Sequence, residues 1–500
     1  MSRCRIIGFA ANGKPAHKIT GTADNSVPDA WITHSPPTRL LDPAFARTTL
    51  TGMRISREPA SETTWVAVAA VGYAVLIYAV LPAGIVALDD DFGYVRSVVL
   101  TLQHGRPWTD DWLEPWTAGL SALSATLYHA TGSFYFGTYG LLAMLAGLSF
   151  FFFGLLLREK GAGAGRSILF ALLTLTFPTF LWKTVQFTGM ALYIPCLLGA
   201  LWSAQKRRWP LFTTLWLLAI ATRQSAITWA VLPVAAWAKD RLAGNRTWGR
   251  AAFQTTLVLA CGAVLFRWLG RFMNKTHAQL LTSDQMWSHW SIPQAFRIAA
   301  IGAGLFLLVL GLAGAWSIVN APCSLPQSRA GWAIRVIGAA AILSLLTVGT
   351  HDFVAFDHAA LDGPIGTYEL KGLVVLAAAG LLAGRLSFDL VPLAGAVASL
   401  AALTFRGELW DYYAIDLMVL FFFAFAAPAE PIPVAGIGSG RWRLQTGVVG
   451  VLAVFHLCFI GHFKHRLDRG YALCCMGSRA LSEGRLHPDE LSFIPFGLGG

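Results

Sequence analysis

Residues 65–99 read WVAVAAVGYAVLIYAVLPAGIVALDDDFGYVRSVV. From Trp65 to Leu88 no side chain carries a formal charge, and then Asp89, Asp90 and Asp91 follow in succession. An uncharged run of roughly 20 residues is what a helix needs to cross the hydrocarbon core of a bilayer. Carboxylates are costly beside that core unless they pair or line a cavity. The stretch therefore predicts a membrane span and asks why three acids stand at its end.

The rest of the chain agrees with a membrane protein. Of 500 residues, 55% are hydrophobic and only 13% are charged, with a mean hydropathy of +0.56. A soluble chain carries about a quarter charged residues. The formal net charge of +11 fits loops that retain Lys and Arg on the cytoplasmic side. No motif points to nucleic acid, so none is expected as a partner. Seven cysteines are scattered without metal-ligand spacing and read as small apolar fillers.

The expected fold is all-α, a polytopic transmembrane bundle of about 12–13 spans. Candidate spans fall near 65–88, 134–157, 167–183, 188–205, 210–238, 251–270, 298–319, 333–349, 371–385, 388–405, 414–430 and 445–462. The segment 210–238 is too long for one span and has basic flanks at both ends. Two shorter helices meeting near ATRQS (221–225) would resolve this and put Arg223 at the outer surface. Residues 1–57 are polar and lack helical periodicity, so they read as a disordered basic tail. Met53 is a candidate start, and 463–500 reads as a short C-terminal tail.

Orientation follows the basic residues. Lys and Arg gather in the N-terminal stub and at 158–166, 205–209, 239–250, 328–335 and 440–443, and these are assigned to the cytoplasm. The acidic stretches 89–115, 351–369 and 406–411 then lie outside. The basic C-terminal tail fits this count least well. The first external loop is 89–133, and its second half, rich in small and aromatic residues, reads as an amphipathic helix lying in the interface.

Polar residues stand at the external end of one hydrophobic segment after another: Asp110, Asp111 and Glu114; Lys183 and Gln186; Arg223 and Gln224; Arg406, Glu408 and Asp411. If these ends converge, they form one cavity with acids to take a proton and cations to hold phosphate. A carboxylate can act as a general base, and arginine grips phosphate bidentately. That inventory suits attack by a hydroxyl on the anomeric carbon of a sugar carried by a polyprenyl phosphate. The bland reading of Asp89–Asp91 is a helix cap. For RGELWDYY (406–413) it is an aromatic-belt anchor. His351, Asp352, Asp357 and His358 match no specific metal-ligand spacing, so no metal site is assigned.

These motifs carry a resemblance. LDDDFGYVRSV (88–98) resembles the acidic motif that follows the first transmembrane helix in the GT-C superfamily of integral-membrane glycosyltransferases, with Asp90, Asp91 and Tyr94 as the matching positions. TRQSAITWAVLP (222–233) is similar to an Arg-Gln-Thr-Asn-x-x-Trp element of the dolichyl-phosphate-glucose-dependent alpha-1,2-glucosyltransferases. Arg223, Gln224 and Trp229 match, while Ser225 and Ala226 depart. Phe187, Thr188 and Gly189 resemble that branch's Tyr-Thr-Asp segment without its acid. The resemblance spans residues 65–235; beyond them it rests on hydropathy.

The resemblance implies an inverting transfer at the external face, with Asp90 or Asp91 as the catalytic base. The candidate substrate-binding residues are Tyr94, Lys183, Arg223, Gln224, Arg406, Glu408 and Asp411. The partners are a polyprenyl-phosphate-linked sugar, a glycan or lipid-glycan acceptor and the bilayer. No cofactor is required, and a divalent Mg or Mn ion is left open. A bacterial inner membrane with a periplasmic active site is the expected location. The alternative is a transporter or flippase for lipid-linked sugars or small solutes, which inverted repeats would favour; none is visible.

Overall fold

The computed structural model describes residues 60–81, 91–109, 118–244, 248–270, 291–320, 328–344, 364–406 and 413–429, together with 454, 456, 458, 460 and 461. All of them belong to the unit Glu58–Gly500. The expected tails 1–57 and 463–500 lie outside the described residues, as do Asp89, Asp90 and the loop 351–363. The candidate span 445–462 lies outside them except for five residues.

The described residues are all-helical and contain no strand. Helix α1 is Ala60–Val80, about 30 Å long at 1.5 Å per residue, which matches a hydrocarbon core. Val66, Ala70, Tyr73, Ile77 and Val80 recur at helical spacing and are buried. Trp65, Val68, Val71, Val75 and Tyr78 face outward and are also apolar. A helix that is apolar all round needs an apolar medium on its outer face. Two other helices are long and apolar enough to cross a membrane, Phe136–Glu159 and Ile298–Ile318, beside Glu62–Val80 of α1. The chain is therefore a helical membrane protein.

The first loop holds α2 (Asp91–His104) and α3 (Ala118–Thr131). Leu120, Ser121, Ser124 and Ala125 of α3 face inward, and His129 and Thr131 are exposed. A π-helical turn, Phe136–Gly140, leads into α4 (Leu141–Glu159). Small residues on α4 admit α1 closely. A Cβ on Gly147 would stand 3.0 Å from the Ala70 carbonyl oxygen, and one on Gly154 would stand 2.7 Å from Val66 Cγ1.

The expected single span 167–183 is instead two helices, α5 (Ala164–Leu175) and α6 (Pro178–Val185). Pro178 explains the interruption: it lacks an N–H and disfavours helical backbone in the residue before it. Helix α7 is Gly189–Gln205. The long segment 210–238 divides as expected, into α8 (Trp209–Ile220), a 3-10 segment Gln224–Ala230 and α9 (Val231–Leu242). At the join, Thr222 Oγ1 bonds back to the Leu218 carbonyl at 2.7 Å, a local bond that competes with helix propagation. Trp216 Nε1 donates to the Ala226 carbonyl at 2.8 Å and ties the two segments together.

Helices α10 (Trp248–Gly270), α11 (Ile292–Asn320), α12 (Arg329–Ser344), α13 (Pro364–Ala383), α14 (Leu390–Arg406) and α15 (Tyr413–Phe425) complete the described bundle. Helices α11 and α13 cross backbone to backbone. A Cβ on Gly380 would meet the Gly311 carbonyl oxygen at 2.0 Å, so only glycine fits there. Small residues at such crossings are how apolar helices associate without a hydrophobic driving force.

One end of the bundle is a layer of ion pairs. Arg158 meets Glu62 at 2.5 Å, and Lys206 meets Glu159 at 2.6 Å. Arg207 grips Asp240 with two bonds, 2.8 Å from Nε and 2.5 Å from Nη2. Arg207 itself stands at φ 59° just past the end of α7, a left-handed position closed by Arg208 N bonding the Ser203 carbonyl at 2.8 Å. Asp389 receives Lys239 at 3.0 Å and Lys160 at 4.0 Å. These residues come from the basic stretches 158–166, 205–209 and 239–250, which the structure gathers at one pole.

Lys160 is buried, and burial lowers its pKa below the ordinary lysine range, with Asp389 opposing the shift and Lys239 adding to it. Asp389 also caps α14, accepting from Val391 N at 3.2 Å. Asp389→Ala removes a helix cap and the counter-charge of a buried lysine together. It is expected to cost about 2 kcal/mol, read as a lower midpoint in thermal unfolding of the detergent-purified protein. An unchanged midpoint would show that the pair contributes nothing.

Candidate functional site

The opposite pole holds the polar cluster. Helix α4 runs from there to Glu159 in the ion-paired layer, α7 runs from Gly189 to Gln205 beside Lys206, and α14 runs from Asp389 to Arg406. The pole thus gathers the start of α7, the end of α8 and the end of α14. The alternation of helix direction places it, not any local motif.

The site is built around the first turn of α7. Lys183, in the last turn of α6, is buried at 5% exposure and donates to Gln186 Oε1 at 3.1 Å. The chain turns through Phe187, and Thr188 takes the N-cap position of α7 with extended backbone, φ −123° and ψ 167°. Arg223, in extended backbone between α8 and the 3-10 segment, reaches α7 and places Nη1 2.6 Å from Met190 Sδ. Its guanidinium lies 5.7 Å from the centre of the Tyr193 ring, within reach of a cation–π attraction. Tyr94 of α2 approaches the same turn: a Cβ on Gly189 would stand 3.3 Å from its Oη and 3.2 Å from Thr222 Cγ2. A side chain at Gly189 would press on both neighbours, which would have to give by a few tenths of an ångström.

Beneath this turn lies a buried carboxylate that the polar residues at segment ends do not reveal. Asp416, near the start of α15, is 3% exposed. Its Oδ2 accepts a hydrogen bond from Tyr193 Oη. Tyr193 Oη also meets Ser225 Oγ at 3.2 Å, and its ring packs on Trp229 with centroids 4.8 Å apart. The cluster therefore joins α7, the 3-10 segment and α15. Its only sequence signal is an acid embedded in YAIDLMVLFFF (413–423), a residue type that is functional by default inside a membrane helix.

Several polar atoms here are buried and without hydrogen-bond partners among the described residues: Gln186 Nε2, Thr188 Oγ1, Trp229 Nε1 and Asp416 Oδ1. Unmet buried groups cost about 1–3 kcal/mol each, and such groups in a native site call for an explanation.

The structure thus brings Tyr94 and Arg223 to the first turn of α7 and Lys183 to Gln186, three residues before it. Asp91 is the first residue of α2, and only its backbone is described. Gln224 opens the 3-10 segment and Arg406 closes α14, and only their backbones are described. Asp90, Glu408 and Asp411 lie outside the described residues, as do Asp110, Asp111, Glu114 and the His/Asp loop 351–358. Among the described residues, no group of three or more His, Cys, Asp or Glu could hold a metal ion. No protein-family model matches the chain, and no curated protein gives a significant match.

Proposed function

We propose that the chain is a multi-pass membrane glycosyltransferase of the GT-C kind. It moves a sugar from a polyprenyl phosphate to an acceptor hydroxyl on the external face, in a bacterial inner membrane. The observation that carries this reading is that Tyr94 and Arg223 reach the first turn of α7 while Lys183 bonds Gln186 just before it, at the pole opposite the ion-paired basic layer. Orientation by positive residues puts that basic layer in the cytoplasm.

The chemistry assigned to the site is one displacement. Asp90 or Asp91 takes the proton of the acceptor hydroxyl as its oxygen bonds to the anomeric carbon. The bond from that carbon to the phosphate oxygen breaks, and the phosphate leaves with the electron pair. Arg223 and Lys183 stabilise the charge that develops on it. Attack from the face opposite the phosphate inverts the anomeric centre. Gln224, Arg406, Glu408 and Asp411 are assigned to the sugar and the phosphate. The proposal needs no cofactor and leaves a divalent ion open.

A second reading, a flippase or transporter, is favoured by one observation. Two segments are interrupted, between α5 and α6 and between α8 and α9, and Asp416 is buried beside the second break. Broken helices with polar residues at depth are a transporter's substrate site. Protein reconstituted into liposomes with a radiolabelled polyprenyl-phosphate sugar and an acceptor extract separates the readings. Label appearing on the acceptor supports the transferase. Intact donor moving between leaflets, with none transferred, supports the flippase.

A further inference from the structure

We propose that the N-terminus of α7 is a seat for a phosphate group, formed by Gln186 and Thr188 and flanked by Lys183 and Arg223. Three independent features converge on it. First, α7 is a 17-residue helix whose N-cap, Thr188, makes no side-chain capping bond; Ala191 N bonds the Thr188 carbonyl at 3.0 Å, and the helix still presents its positive end there. Second, Gln186 is 1% exposed; its Oε1 is taken by Lys183, and its Nε2 has no partner among the described residues. Third, the Thr188 hydroxyl is also buried and unpartnered among them.

The unmet capacity is of one kind. Gln186 offers an amide hydrogen and Thr188 a hydroxyl, at the start of a helix that Lys183 and Arg223 approach. A group with several acceptor oxygens satisfies the Gln186 and Thr188 donors together, and helix N-termini favour a negatively charged one. Asp416 lies further into the helix, where its Oδ2 accepts from Tyr193.

The seat itself stands on the geometry; only the identity of the phosphate's carrier rests on the glycosyltransferase reading. The carrier is either a prenyl lipid or a free phosphate. Binding to the detergent-purified full chain, followed by tryptophan fluorescence, is measured for a short-chain polyprenyl monophosphate, the matching polyprenol and inorganic phosphate. The monophosphate is expected to bind, and the polyprenol to bind more weakly by about tenfold or more, the worth of one hydrogen bond to a charged group. Thr188→Val and Gln186→Leu are each expected to weaken the monophosphate by about tenfold, and Thr188→Ser, which keeps the hydroxyl, to restore it. Inorganic phosphate binding as tightly as the prenyl phosphate would assign the seat to a free phosphate. Weaker binding would assign it to the lipid.

Equal binding of monophosphate and polyprenol, or binding that neither variant changes while both stay folded, overturns the proposal. Phosphate binding that depends on Thr188 and Gln186, in a protein that transfers no sugar, would leave the seat standing and remove the transferase reading. Normal transfer with binding indifferent to both residues would do the reverse.

Discussion

Asp90→Asn or Asp91→Asn is expected to lower sugar transfer by about 10²–10⁴-fold, the usual contribution of a general base. An asparagine keeps the shape and polarity of the side chain but cannot accept the hydroxyl proton. The two variants are distinguishable: the residue that takes the proton gives the full loss, and its neighbour a partial one. Donor binding is expected to survive in both, because the phosphate is assigned to α7 and Arg223 rather than to the acids. A loss confined to donor affinity, with turnover unchanged, would make the acids binding residues and leave the base unidentified. If Asp91 only opens α2 and takes no proton, Asp91→Asn leaves transfer intact, since asparagine keeps the shape and polarity of the side chain.

The second large effect is expected at Asp416. Asp416→Ala removes the acceptor of a fully buried tyrosine hydroxyl and costs about 1–3 kcal/mol in stability. It also removes the carboxyl group that holds the Tyr193 ring beside the Arg223 guanidinium. Donor affinity therefore falls along with the unfolding midpoint. Asp416→Asn keeps an oxygen for Tyr193 and separates the two effects. It should hold the midpoint close to that of the unmodified protein, so that a change in donor affinity reports on the carboxyl group itself rather than on lost packing. Tyr193→Phe leaves the Asp416 carboxylate without its hydroxyl donor, a costlier defect than an orphaned hydroxyl, so it should lower the midpoint more than Asp416→Asn. Asp416→Asn with donor affinity equal to the unmodified protein would reduce the cluster to packing.

Much of the arrangement could be read from the chain. The uncharged run after Trp65 predicts α1, and the excess length of 210–238 with basic flanks predicts the break beside Arg223. The basic stretches mark one pole because lysine and arginine near spans carry topology, and the structure pairs them there with Glu62, Glu159, Asp240 and Asp389. The break at Pro178 was equally present in the residues, but a continuous apolar window over 167–183 outweighs one proline in a hydropathy reading.

The buried half of the site was not legible. Tyr193 and Asp416 are 223 positions apart, and no local period links them. Tyr193 sits in an apolar helix, where a tyrosine reads as packing. Asp416 stands one turn inside α15, past the polar residues that mark segment ends. Only a lone acid followed by LMVLFFF (417–423) signalled it. The unmet donors of Gln186 and Thr188 are likewise invisible without coordinates, because hydrogen-bond satisfaction is a property of packing.

The central claim is that sugar leaves its lipid phosphate at the pole holding Tyr94, Lys183 and Arg223. The most direct measurement is transfer of radiolabel from polyprenyl-phosphate sugars to an acceptor extract, by three reconstituted proteins at a temperature where all are folded. These are the unmodified chain, the Asp90→Asn/Asp91→Asn double variant and Asp389→Ala at the opposite pole. The account predicts transfer by the unmodified protein and by Asp389→Ala, and about 1% or less of it from the double variant. Transfer by the double variant equal to that of the unmodified chain, or none by the folded unmodified chain with any donor, would contradict it.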